Sequence, residues 1–153
     1  MLVKDVMTKK VIALKPKDPL KLVIQIFVEN EISGAPVVDD EKVIGIVTEA
    51  DIVRIIDVYM PRVHFPTESS FAIILAAIKS TREFETIRDA IDKLNIKVED
   101  FMNKPVITIE PDEKITKVAQ MMNKYKINRL PVVKNDKLVG IIARADIIKA
   151  LSK

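Results

Sequence analysis

The sequence predicts an α+β module of two equivalent β-α-β-β-α repeats packed about a pseudo-twofold axis, and three observations carry that expectation. First, the chain of 153 residues repeats itself. Shifted by 95 positions, Val3–Ile56 aligns with Val98–Leu151 without a gap, giving 19 identities in 54 pairs, among them Asp5/Asp100, Met7/Met102, Pro16/Pro111, Pro36/Pro131, Gly45/Gly140 and Asp51/Asp146. Second, β-branched runs and helical apolar stripes alternate in the same order in both copies. Third, the chain is 48% hydrophobic and 31% charged, enough to bury a core. Two copies are too few for a solenoid, so mutual packing of the halves is expected.

Each element follows from local chemistry. Val11–Leu14 and Val106–Ile109 read as short strands ending before Pro16 and Pro111. Asp18-Pro19 and Asp112 then offer N-caps for the next helix. That helix carries Leu20, Val23, Phe27 and Val28 on one stripe, matched by Ile115, Val118, Ala119 and Met122. Pro36-Val37-Val38 and Pro131-Val132-Val133 begin a strand. Asp39–Lys42 and Asn135–Lys137 make a polar turn, and Val43–Val47 and Leu138–Ile142 return as the second arm of a hairpin. A last helix starts near Thr48 or Ala143 and carries Ile52, Ile55 and Ile56, or Ile147, Ile148 and Leu151. The expected organisation is therefore 1–56 for the first repeat, 57–97 for a linker and 98–153 for the second repeat.

Within the linker, Pro61 and Pro66 break the first part, and Phe71–Ile78 fits either a helical face or a buried strand. Ser80-Thr81-Arg82-Glu83 is a capping box, after which Phe84, Ile87, Ile91 and Leu94 continue as an amphipathic helix. This helix is expected to pack on its own repeats or to contribute to a subunit contact.

Composition narrows the function classes. With no cysteine and one histidine, His64, the chain lacks material for thiolate metal sites, cysteine nucleophiles or a Ser-His-Asp triad. There is no Walker-type glycine loop and no general acid/base constellation, so no catalytic residue and no metal ligand is assigned. The longest apolar run, Phe71–Ile78, falls far short of the roughly 20 residues that span a bilayer. Membrane insertion is not expected, and a cytoplasmic protein is. Net charge is +3. Residues 98–153 hold 11 basic and 7 acidic side chains, an excess of 4, whereas 1–56 hold 8 and 9. Seven aromatic residues, spread thinly, make a poor nucleic-acid surface, and a small anion is the more economical partner.

The most informative stretch is Gly45-Ile46-Val47-Thr48-Glu49-Ala50-Asp51. A strand ends in a turn whose Thr48 hydroxyl and Asp51 carboxylate stand three apart at a helix N-terminus. Such a carboxylate can accept both hydroxyls of a sugar diol, and the helix end favours phosphate. The same pattern can simply cap the helix. In the second copy, Gly140–Asp146, the aspartate is kept but Ala143 replaces the hydroxyl.

Taken together, Val3-Lys4-Asp5-Val6-Met7, Ile32-Ser33-Gly34-Ala35-Pro36-Val37-Val38 and Gly45–Asp51, repeated as Val98–Met102, Ile127–Val133 and Gly140–Asp146, resemble the CBS domain. The resemblance covers about 108 residues, and the linker resembles those of stand-alone prokaryotic CBS-pair (Bateman) proteins. It implies a CBS-domain pair that binds adenosine-containing ligands (AMP, ADP, ATP or S-adenosylmethionine) in two symmetry-related clefts. The resemblance also implies that no cofactor is required, the adenine nucleotide or S-adenosylmethionine acting as a regulatory ligand.

Carried over by position, the first cleft would use Thr48 and Asp51 for ribose, Asn128 and Arg129 for phosphate, and Asn103, Pro105, Val106 and Thr108 around the base. A guanidinium fork matches phosphate bidentately. The second would use Asp146 for ribose and Ser33, Gly34 and Ala35, with Thr8, Lys10, Val11 and Ala13 around the base. Here Ala143 and Gly34 stand where the first cleft has Thr48 and Arg129. A lost hydrogen bond is worth about 0.5–1.5 kcal/mol and a lost charge-assisted one more. The second cleft is therefore expected to be weaker, empty or tuned to a less charged ligand. The resemblance further implies a homodimer acting on a separate effector protein. The alternatives are a nucleic-acid-binding protein using the basic face of 98–153 and a purely structural dimerisation module. His64, the Met102/Met121/Met122 group and Asp39-Asp40-Glu41 are expected to be structural or solvated.

Overall fold

A computed structural model describes residues 1–59 and 82–152. In chain order the elements are α1 (Val3–Val6), α2 (Leu20–Glu29), β1 (Gly34–Asp39), β2 (Lys42–Thr48), α3 (Glu49–Tyr59), α4 (Arg82–Leu94), α5 (Val98–Phe101), α6 (Ile115–Tyr125), β3 (Arg129–Lys134), β4 (Lys137–Ala143) and α7 (Arg144–Leu151). The strands are ordered β1-β2-β4-β3, and β2 meets β4 antiparallel at Lys42 and Lys137. The α+β class is as expected. Pro61, His64, Pro66, Phe71–Ile78 and Ser80-Thr81 lie outside the described residues; the expected linker helix is present as α4, with Ile87 buried.

Both hairpins turn on two residues with positive φ, Asp40 (45°) and Glu41 (66°) in one and Asn135 (50°) and Asp136 (63°) in the other. Positive φ at both central positions is the type I′ geometry, whose twist matches that of the flanking strands.

The chain divides into two compact units that do not coincide with the repeats. Unit one comprises Met1–Ala13, Val38–Gly45 and Lys104–Lys153; unit two comprises Leu14–Val37 and Ile46–Asn103. Each repeat thus gives its start to the unit built mainly from the other. In unit one, fully buried Val3 of α1 joins a core of Ile109, Val118, Met122, Leu130, Val132 and Ile142. In unit two the positions 95 residues away are buried in the same way: Val98, Leu14, Val23, Phe27, Ala35, Val37 and Val47. Phe27 with Ala35 in one unit corresponds to Met122 with Leu130 in the other, so a larger side chain at one position accompanies a smaller one at the next.

Four details depart from the sequence expectation. The first strand of each repeat shrinks to one parallel bridge, Leu14 to Val37 and Ile109 to Val132. Pro16 and Pro111 follow two residues on, and in the first repeat the chain leaves unit one at Ala13, so no longer ladder can form. Asp18 and Asp112 are not helix caps. Pro19 and Lys114 hold the N-cap positions, while Asp18 accepts the Lys15 N–H at 2.7 Å and Asp112 binds the Lys4 ammonium at 2.7 Å. The physical reason is that the stretch before each helix receives a foreign helix end. Val98 and Glu99 of α5 donate to the carbonyls of Asp18 (2.9 Å) and Pro16 (3.0 Å), and Val3 and Lys4 of α1 donate to Glu113 and Pro111 (both 2.9 Å). Val28 is 44% exposed, having turned past the Leu20–Val23–Phe27 stripe. On α7, Ile148 and Leu151 are exposed although their counterparts Val53 and Ile56 are half-buried and buried.

Gly140 is required by close approach. A Cβ there would lie 2.5 Å from Met7 Sδ, 3.1 Å from Met7 Cγ and 3.2 Å from the Thr8 carbonyl oxygen. The Met7 end can move; the Thr8 backbone, which exchanges two 2.9 Å hydrogen bonds with Ile141, cannot move without breaking them. Gly140→Val is therefore expected to cost about 1–3 kcal/mol. Thermal unfolding should show Tm lowered by roughly 2–12 °C at about 2–4 °C per kcal/mol, with Gly140→Ala milder.

The docking ion pairs set a pH window. The Asp112 carboxylate, hydrogen-bonded to and beside the Lys4 ammonium, holds Lys4 above its ordinary 10.5, and Lys4 in turn holds Asp112 below its ordinary 3.8. Glu99 raises Lys17 in the same way. A depressed carboxyl stabilises above its unfolded value and loses that contribution as pH falls through the folded one. A raised ammonium stabilises below its unfolded value and loses it as pH rises through the folded one. The Tm difference between the wild type and Lys4→Met is thus expected to be flat from about pH 5 to 9 and to shrink in acid below 3.8.

Candidate functional site

The turn between β2 and α3 is organised by Asp51. It is the third helical residue of α3 and only 3% exposed. Asp51 Oδ2 accepts the Thr48 backbone N–H (2.8 Å), the Thr48 hydroxyl (3.1 Å) and the Asn103 side-chain amide (2.7 Å). Asp51 Oδ1 is bonded by the Arg54 guanidinium, whose side chain is 61% exposed. Asn103 is brought there by backbone pairing, since Asn103 and Ile46 exchange hydrogen bonds of 2.9 and 3.1 Å. The helix end therefore carries a buried carboxylate with one oxygen saturated by fixed donors and the other held by an exposed surface cation.

The corresponding turn in unit one is plainer. Asp146 Oδ2 accepts the Ala143 N–H at 2.8 Å. Thr8 occupies the place of Asn103, pairing with Ile141 as Asn103 pairs with Ile46. The half-cap is a general device in this chain: Asp5 accepts the Leu2 N–H and Asp100 the Lys97 N–H at the starts of α1 and α5. Capping is thus part of what Asp51 does, but capping alone does not need the Thr48 hydroxyl or the Asn103 amide.

The residues expected before the prolines sit next to these helix ends. The Ser33 carbonyl accepts the Glu49 N–H at 3.0 Å and the Asn128 carbonyl the Arg144 N–H at 3.0 Å. Arg129, half-buried at the start of β3, is the Cα partner of Ala143. Of the first expected set, Thr48, Asp51 and Asn103 meet in unit two, whereas Pro105, Val106, Thr108, Asn128 and Arg129 belong to unit one. Of the second, Thr8, Lys10, Val11, Ala13 and Asp146 belong to unit one, and Ser33, Gly34 and Ala35 to unit two, with Gly34 and Ala35 buried in β1. The residue that sequence reasoning missed is Arg54. Its signal is the three-residue spacing from Asp51, which places a cation one helical turn from the carboxylate. Among the described residues, no three His, Asp or Glu side chains converge as a metal site. No helix among them is long and apolar enough to cross a membrane.

Fold and turns together define a duplicated α+β module with an aspartate at each of two equivalent helix ends. The family model of the CBS domain matches residues 3–58 and 98–153, so the chain belongs to the CBS-domain family as a tandem pair. It is 38% identical to the uncharacterized protein MJ1426 of Methanocaldococcus jannaschii, over 99% of this chain and 91% of that one. A second relative from the same organism, MJ1232, is 34% identical over 97% of this chain, which spans only 38% of its length. Among solved structures, the chain superposes on the CBS domain pair of protein MJ0100 in complex with 5′-methylthioadenosine and S-adenosyl-L-methionine. There the TM-score is 0.71 at 25% identity, covering 99% of this chain and 96% of that one.

Proposed function

We propose that this CBS pair is a non-catalytic regulatory module that binds adenosine-containing ligands, with a ribose diol on the Asp51 turn and, more weakly, on the Asp146 turn. The observation that carries the proposal is the Asp51 carboxylate, buried at a helix N-terminus with Oδ1 held by an exposed arginine. A carboxylate offers about four acceptor positions. The three fixed donors on Oδ2 aim the group, and the Arg54 side chain, 61% exposed, can swing into solvent and leave Oδ1 to ribose hydroxyls. The MJ0100 pair, which carries two adenosyl ligands, supports that class of ligand. Occupancy would be read out by a separate effector protein, from a homodimer.

Titration calorimetry with AMP, ATP and S-adenosylmethionine tests the ranking of the two turns. Asp51→Ala is expected to remove the tighter binding event and Asp146→Ala the weaker; equal losses from both would overturn the ranking. Arg129, assigned to phosphate, adds a further expectation: Arg129→Ala should weaken ATP and AMP more than S-adenosylmethionine, which has no phosphate.

A further inference from the structure

The two short helices dock through contacts that the duplication makes interchangeable. Val3 and Val98 are identical, and both are fully buried. Val3 donates to the Glu113 carbonyl and Val98 to that of Asp18; Lys4 donates to Pro111 and Glu99 to Pro16. Leu2 bridges Lys114 as Lys97 bridges Pro19. Each of these partners lies 95 positions from its counterpart, so the backbone contacts and the buried valine do not by themselves tell α1 its own repeat from the other.

One side-chain pair breaks the tie. On α1 the docking residue is Lys4, and it meets Asp112 at 2.7 Å; on α5 it is Glu99, and it meets Lys17 at 2.5 Å. The charges are reversed at both partners. Docked on its own repeat, Lys4 would face Lys17 and Glu99 would face Asp112, two repulsions in place of two attractions. We propose that this reversed charge pair is an address code, which makes the Pro111–Lys114 surface a docking site for Met1–Val6 and the Pro16–Pro19 surface one for Ile96–Phe101, and so enforces the exchange of start segments between repeats. Each pair alone is exposed and weak. Discrimination needs only the difference between attraction and repulsion, counted at both sites.

The chain has no cysteine, so one engineered thiol can choose between two others. A variant carrying Leu2→Cys, Pro19→Cys and Lys114→Cys, refolded in a glutathione buffer, forms a 2–114 disulfide when α1 is exchanged and a 2–19 disulfide when it is not. Peptide mass mapping of the monomer gives the ratio. In the native charge background, 2–114 is expected to dominate. Adding Lys4→Glu with Asp112→Lys keeps attraction at the exchanged site but erases the code, because the carboxylate now on α1 suits Lys17 equally well. The ratio should fall by about threefold to thirtyfold. Lys4→Glu alone should lower it further. An unchanged ratio in the Lys4→Glu/Asp112→Lys background, with the circular dichroism spectrum of the parent, would overturn the proposal whatever Lys4→Glu does to folding.

Discussion

Asp51→Ala is expected to lower affinity for an adenosyl ligand at the tighter site by at least about 100-fold, the loss of roughly one strong charge-assisted pair of hydroxyl contacts. The same change should cost about 1–3 kcal/mol of stability, because the Thr48 N–H and hydroxyl and the Asn103 amide lose their common acceptor inside a part-buried turn. The two effects separate with Asp51→Asn. An amide oxygen can still accept from Thr48, so urea unfolding should stay within about 1 kcal/mol of wild type. Binding should still collapse, since the charge and one acceptor are gone. If Asp51→Asn bound ligand normally while Asp51→Ala merely unfolded more easily, the carboxylate would be a helix cap and nothing more.

The second large effect lies in the core. Phe27 is 1% exposed on the buried stripe of α2 and is among the largest fully buried side chains. Phe27→Ala is expected to cost about 3–5 kcal/mol, transfer and cavity terms together. That would move Tm down by roughly 6–20 °C for a domain of this size. Phe27→Met, which copies the residue at the equivalent position in α6, should be much milder. It leaves a deficit because Ala35 in the same unit, unlike Leu130 in the other, has no added volume to compensate. Urea denaturation followed by circular dichroism distinguishes the two variants.

How much of this is legible in the sequence depends on whether the cause is local. The repeat, the two hairpins with their turns at Asp40-Glu41 and Asn135-Asp136, and helices α2, α3, α6 and α7 follow from period and turn chemistry. Asp51 and Asp146 stand out at helix starts because three-residue spacing after a strand is a local pattern. The four-residue helices α1 and α5 offer no period to detect. Their destinations are hidden for a deeper reason: Val3 is buried in a core whose other fully packed members begin at Ile109, and Val98 docks through its N–H on the carbonyl of Asp18, far back along the chain. That same long-range docking defeats the local argument at Asp18 and Asp112, whose neighbouring carbonyls receive a foreign helix end. The Lys4/Asp112 and Glu99/Lys17 reversal is visible in the alignment of the two copies, but it has meaning only once the pairs are seen in contact. Arg54 is legible by spacing, yet the cap and ribose expectations for Asp51 leave nothing for a cation to explain.

The central claim is that the Asp51 and Asp146 turns hold adenosyl ligands. A native mass spectrum of the freshly purified protein, repeated after adding AMP, ATP and S-adenosylmethionine in turn, tests it most directly. The expected result is a species heavier by one or two ligand masses per chain for at least one of the three, absent from the Asp51→Ala/Asp146→Ala variant. A spectrum with no adduct from any of them at about 1 mM, from protein that remains folded, would place any binding weaker than roughly −4 kcal/mol and contradict the claim.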